Sequence, residues 1–81
     1  MQNSVKTLRE WRVSRLLSLR DLAGAAGVTP KTILDLEMRR RRATFATIRK
    51  LADGLGVDPT EVAEFVDALD QRAKNRHTEG T

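Results

Sequence analysis

The sequence predicts an all-α domain of five helices, and three patterns predict it. Apolar residues recur at the spacing of one helical face in stretch after stretch, and nowhere alternate as they do in a strand. Short polar residues suited to N-caps (Ser18, Thr29, Thr44 and Asp58) stand before four of these stretches. The only two prolines, Pro30 and Pro59, each follow such a cap, and Gly27 and Gly56 stand where a left-handed residue would end a helix.

Helix 1 is expected over about residues 5–16, with Val5, Leu8 and Trp11 on one side and Leu16 and Leu17 closing the segment. Trp11 lies on the stripe with Leu8, so it reads as a packing residue more than as a base-stacking platform. Helix 2 spans 19–26: Ser18 caps it, Asp21 stands at the capping-box position, and Gly27 makes the turn. Helix 3 spans 30–38, capped by Thr29, with Ile33 and Leu36 inward and Lys31, Thr32, Leu34 and Asp35 on other sides. Helix 4 spans 45–55 behind Thr44, on a stripe of Phe45, Ile48, Leu51, Ala52 and Leu55. Helix 5 opens at Pro59 behind Asp58, Glu61 completes a capping-box spacing, and Val62, Phe65, Val66 and Leu69 form one stripe. Arg72, Lys74 and Arg76 suit the negative end of its dipole. The domain is taken as residues 1–72, and 73–81 as a polar C-terminal tail that frays beyond about Asn75.

Composition excludes several classes of function. The 81 residues make one domain and contain no cysteine, so there is no disulfide and no thiolate metal site. The single histidine, His77, falls in the polar tail, which argues against zinc and against histidine-based catalysis. No paired carboxylates, nucleophile–base set or phosphate-cradling glycine loop stand out; Gly24 and Gly27 read as helix packing and a turn. No cofactor or metal is expected, and no enzyme. No apolar stretch is long enough to span a membrane, and no basic-then-apolar leader opens the chain, so a cytoplasmic protein is expected.

Net charge is +4, unevenly placed. Residues 1–50 hold 12 Lys/Arg against 4 Asp/Glu, net +8; residues 51–81 hold 3 against 7, net −4. The first half suits a polyanion and the second faces elsewhere, or both halves are ordinary solvated helices.

The order of small, apolar and glycine positions resembles the lambda-repressor-like, or Xre/Cro, helix-turn-helix family over about residues 6–66. Leu22-Ala23, Gly27-Val28-Thr29, Ile33, Leu36-Glu37, Ile48, Leu51-Ala52 and Leu55-Gly56-Val57 carry the likeness through their joint spacing. It implies a five-helix DNA-binding domain with the helix-turn-helix at helices 2 and 3. The chain departs from the family pattern at three points, one of them a helix 5 longer than the minimal pattern. Glu37-Met38-Arg39 stands where Glu-Asn-Gly usually closes helix 3, which leaves open whether that helix continues into the arginines. Leu19 stands where a phosphate-contacting glutamine is frequent.

The resemblance implies double-stranded DNA as partner, sequence-specific binding and a role in bacterial or phage transcription. Arg39, Arg40, Arg41 and Arg42 are the candidate phosphate contacts, two or three of them facing the duplex, with Arg20 a further one; the alternative is a solvated loop. Base reading falls to the start of helix 3: Lys31 toward guanine, Asp35 toward cytosine, Thr29 and Thr32 nearby, and Pro30 against a thymine methyl. Lys31 and Asp35 also fit a simple i, i+4 pair, and Leu34 either packs or reaches a thymine methyl. Arg12 and Glu37 are assigned by resemblance to a structural ion pair between helix 1 and the end of helix 3. Phe65, Val66 and Leu69 either cap the core or spill over to a second copy, which would make a homodimer through the C-terminal helix. The competing functional reading is an antitoxin or interaction module with a protein partner and secondary DNA binding.

Overall fold

The computed structural model describes the backbone of residues 5–79 and the side chains of residues 5–71. Five α-helices follow one another: α1 Leu8–Ser14, α2 Leu19–Ala26, α3 Pro30–Glu37, α4 Phe45–Leu55 and α5 Ala63–Glu79, with a single 3₁₀ turn at Pro59–Glu61 before the last.

Local chemistry sets most of the boundaries. Ser18 and Asp21 close a reciprocal capping box at 3.0 Å each way. Thr29 and Thr44 each accept from the backbone N–H three residues on, at 3.2 Å. Gly27 and Gly56 take the left-handed conformation with φ of 75° and 73° and stop α2 and α4. One close approach also favours a glycine: a Cβ on Gly54 would stand 3.2 Å from the Ala26 Cβ, so α4 and α2 pack there more tightly than a side chain readily allows.

Two helices differ from expectation. α1 starts at Leu8, not near residue 5, because Thr7 and Glu10 form a capping box of their own. The chain before it instead runs alongside the start of α5. Lys6 N–H donates to the Glu61 carbonyl at 3.0 Å, and Ala63 N–H to the Lys6 carbonyl at 2.9 Å, as an isolated parallel bridge with Val62. That bridge holds Val62 extended, with φ −114° and ψ 119°, and so separates the Pro59–Glu61 turn from α5. Asp58 and Glu61 cap this short turn rather than the long helix. At the other end, the α5 backbone stays helical to Glu79, since neither proline nor glycine interrupts it before Gly80. The charges of Arg72, Lys74 and Arg76, and His77, lie outside the described side chains.

The core joins all five helices: Leu8 and Trp11, Leu22, Ile33 and Leu36, Leu51 and Leu55, and Val62, Phe65 and Ala68. The inward stripe of α5 is therefore Phe65 and Ala68, continuing Val62. Val66 points out, Leu69 packs at the edge, and Phe45 of the α4 stripe stays half exposed.

α1 and α3 end without glycine. Leu16 (φ 58°) and Arg39 (φ 60°) both adopt the left-handed conformation. The i−5 bonds that lock such an ending are present, Leu17 N–H to the Arg12 carbonyl at 3.1 Å and Arg40 N–H to the Asp35 carbonyl at 2.8 Å. α3 thus stops at Glu37 and does not run on into the arginines. A Cβ in this region costs about 1–2 kcal/mol. The Leu16 side chain is 89% exposed and returns nothing for it. Leu16→Gly is expected to raise stability by about 0.5–1 kcal/mol in urea denaturation, the relief exceeding glycine's extra chain entropy.

Candidate nucleic-acid interface

The orientation of α3 is set from below by Arg12. Its Nε and Nη2 donate to the two Glu37 carboxylate oxygens at 2.7 and 3.1 Å, and Nη1 donates to the Leu17 carbonyl at 3.0 Å. The two side chains are only 13% and 5% exposed. One guanidinium thereby fastens α1, the α1–α2 linker and the last residue of α3, and the carboxylate raises its pKa further.

The first turn of α3 faces solvent. Thr29, Pro30 and Lys31 are exposed and Thr32 is half-buried. The Thr29 hydroxyl is engaged, accepting the Thr32 N–H and lying 2.9 Å from the Thr32 hydroxyl. Lys31 reaches Asp35 at 3.1 Å. Asp35, the candidate for reading cytosine, is itself buried and is not among the residues of α3 that face out. It lies beneath Lys31 and beneath Arg40, whose guanidinium approaches at 3.4 Å. The hydrogen bond from Lys31, reinforced by Arg40 and opposed by burial, holds its carboxyl below the usual carboxylate range.

The four arginines divide. Arg39 turns away to α5 and pairs with Asp67 at 2.7 Å, which raises its pKa; both groups are more than half exposed, so the pair adds little stability. Arg40 joins Asp35. Arg41 and Arg42 are exposed and carry no ion pair among the described residues, as is Arg20 at the second position of α2. The run 39–42 also lines a cleft of about 390 Å³ whose far wall on α5 includes Glu64 and Asp67. Arg39, and in part Arg40, are thus anchoring residues as the structure places them.

Several contacts escaped the sequence. Glu64, buried, accepts the Leu8 N–H at 2.8 Å and so satisfies the start of α1 from 56 residues away. Arg15 donates to the Leu55 carbonyl at 2.7 Å at the end of α4. Trp11 donates to the Glu61 carbonyl at 2.7 Å, and Lys6 and Arg15 each lie 4.8 Å from its ring centroid. The Thr7–Glu10 box alone was readable, as the same threonine-to-glutamate spacing that marks caps elsewhere.

Of the three residues expected at a dimer contact, Phe65 is fully buried in the protomer's own core and has no surface to offer. Val66 is exposed. Leu69 lines a shallow groove of about 280 Å³ with Phe45, Ile48, Arg49 and Pro59. No helix among the described residues is long and apolar enough to cross a membrane.

Two short helices joined by a glycine turn, the second braced at its end and open at its start, define a helix-turn-helix domain. The chain belongs to the helix-turn-helix domain family, whose model matches residues 5–65. It is similar to the HTH-type transcriptional regulator DdrOP3 of Deinococcus deserti, 37% identical over 60 residues that cover 74% of this chain and 46% of that protein. It is also similar to an uncharacterized HTH-type transcriptional regulator of Mycobacterium tuberculosis, 36% identical over 67 residues, 83% of this chain and 26% of that protein. The chain therefore spans less than half the length of these relatives. No solved structure matches it significantly.

Glu37→Ala strands Arg12 with one carbonyl partner and is expected to lower stability by about 2–3 kcal/mol. The double variant Arg12→Met with Glu37→Leu should lose less than the two single changes added together, as a double-mutant cycle by denaturant unfolding would register. Three carboxyls are held low: Asp21 first by the Ser18 N–H, Asp35 first by Lys31, and Asp58 by the Thr60 hydroxyl and then its N–H. Their contribution is complete above the ordinary carboxylate pKa and disappears as pH falls through the lowered values. The melting temperature is expected to drop as pH falls below about 4, and Asp21→Asn with Asp58→Asn should shrink that drop.

Proposed function

We propose that this chain is a sequence-specific double-stranded DNA-binding domain of the lambda-repressor-like kind, acting in transcription regulation in the cytoplasm, and not an enzyme. α3 enters the major groove and α2 crosses the backbone. The observation that carries this reading is Lys31. It occupies the second position of a helix whose first turn holds no acid, where a cation opposes the helix dipole, and its side chain is 79% exposed. Its pairing with Asp35 runs in the less favourable lysine-first order. Helix stability gives no reason for a lysine there; an anionic or acceptor-rich partner does.

Arg41, Arg42 and Arg20 then neutralise phosphates, while Lys31 and Thr32 read base edges and Pro30 lies against a thymine methyl. Val66 and the groove beside Leu69 support a homodimer through α5, with two recognition helices about one DNA turn, roughly 34 Å, apart. The same groove would serve a protein partner if the chain is an antitoxin-like module. A palindromic consensus from selection out of a random DNA pool supports the dimer; a co-purifying partner with no retention on DNA supports the module.

Lys31→Ala is expected to relax base preference with a small loss on random duplex. Arg41→Ala with Arg42→Ala should weaken all sequences alike and flatten the slope of log K against log salt by about 1.8, roughly 0.9 for each lost phosphate contact. Binding titrations on selected and random duplexes measure both. Equal losses on both duplexes for the two variants would overturn this division of labour.

A further inference from the structure

Asp35 follows Lys31 by one turn on the helix assigned to the groove, yet its side chain is 11% exposed while those of Lys31 and Arg40 are 79% and 56% exposed. Both carboxylate oxygens are engaged. Oδ2 accepts from Lys31 Nζ at 3.1 Å; Oδ1 lies 3.5 Å from Lys31 Nζ and 3.4 Å from an Arg40 nitrogen. The Asp35 carbonyl also accepts the Arg40 N–H at 2.8 Å, so the chain leaving α3 is held to this residue twice. A carboxylate beneath two cations reaches no base edge unless it releases both.

A negative charge inside a phosphate-facing surface weakens attraction to every duplex. Non-specific binding counts neutralised phosphates and little else, so it suffers most from a cation that already has an acid partner. A guanine edge offers Lys31 two acceptors in fixed geometry, a better exchange for Asp35 than a phosphate reached by a displaced side chain. We infer that Asp35 determines specificity without touching a base: it withholds Lys31 and Arg40 from the phosphate backbone, which leaves phosphate neutralisation to cations such as Arg41 and Arg42. Asp35 is a positioning residue in this account. The inference rests on the duplex-binding reading above.

The test compares a duplex selected by the wild-type protein from a random pool with a random-sequence duplex, each titrated at several salt concentrations. Asp35→Asn keeps the shape and one acceptor and removes the charge. Its affinity for random duplex is expected to rise at least about fivefold near 0.1 M salt, with the salt slope steeper by about 0.9 for each of Lys31 and Arg40 that reaches a phosphate, so that the preference for the selected duplex narrows. Asp35→Glu, which keeps the charge, should leave the slope near wild type. An unchanged slope for Asp35→Asn, or parallel losses on both duplexes with a lowered melting temperature, overturns the inference and marks Asp35 as structural only. A second comparison does not depend on that variant folding. Arg40→Gln and Arg41→Gln both change exposed side chains, and only Arg41→Gln should flatten the slope by about 0.9. Equal flattening overturns the inference while the duplex-binding reading stands. Wild-type protein that binds neither duplex overturns both.

Discussion

The guanidinium of Arg12 joins three parts of the chain that no apolar contact could hold in register. It grips both oxygens of Glu37 and the Leu17 carbonyl, so α1, the turn into α2 and the end of α3 share one fixed point. Apolar packing is non-directional and would let α3 roll on the Leu22–Ile33–Leu36 contact. A planar fork with fixed donor directions does not. Because the fork seizes the C-terminal end of α3, the N-terminal turn with Lys31 is carried outward as a rigid extension of it. A helix of 8 residues is too short to be stable by itself, so its aim depends on this brace and on the core beneath.

The basic half of the chain looks in sequence like one undivided positive surface, and the fold takes it apart. Arg12 and Arg15 turn inward to Glu37 and to the Leu55 carbonyl, Arg39 to Asp67, and Arg40 to Asp35. Among the described residues Arg20, Arg41 and Arg42 stand exposed without an acid partner next to the helix pair, as do Lys6, Arg9, Arg49 and Lys50 farther from it, while Arg15 is held by a carbonyl and not by an acid. The acidic half is likewise not simply turned away, since Glu64 and Asp67 stand across a cleft from the arginine run. Charge counting therefore overstates how many cations are free to meet phosphate.

What the sequence disclosed follows from the range of each interaction. Ser18 with Asp21, Thr29 with Pro30, Thr44, Gly27 and Gly56 act within a few residues, so the ends of α2 and α4 were readable to the residue. The break before α5 was not. Asp58, Pro59 and Glu61 spell a helix start, and they do form a capped turn, but Lys6 pins Val62 extended from the far end of the chain. The buried acids were hidden for the same reason. Glu64 and Asp35 occupy positions that local pattern assigns to solvent; Glu64 is drawn in by Leu8 N–H, and Asp35 is covered by Arg40 after the chain turns back. Phe65 lay on an apolar stripe in either reading, and only the rotation of α5 decides that the protomer's own core takes it.

The exit from α3 shows how one such turn can bear several demands at once. A glycine at residue 39 would adopt φ of 60° freely, and arginine there carries a cost of about 1–2 kcal/mol. The exposed pair with Asp67 repays only part of that. Yet the left-handed residue is what stops α3 at Glu37 and folds the chain back so that Arg40 N–H meets the Asp35 carbonyl. Were α3 to continue as a helix, Glu37 would remain with Arg12, but Arg40 would move on around the axis and Arg39, four residues on, would become the neighbour of Asp35 in its place. The strained residue thus fixes where the arginines without an ion pair begin: Arg41 and Arg42 emerge as a loop beyond the helix, whose first turn has already been aimed by Arg12.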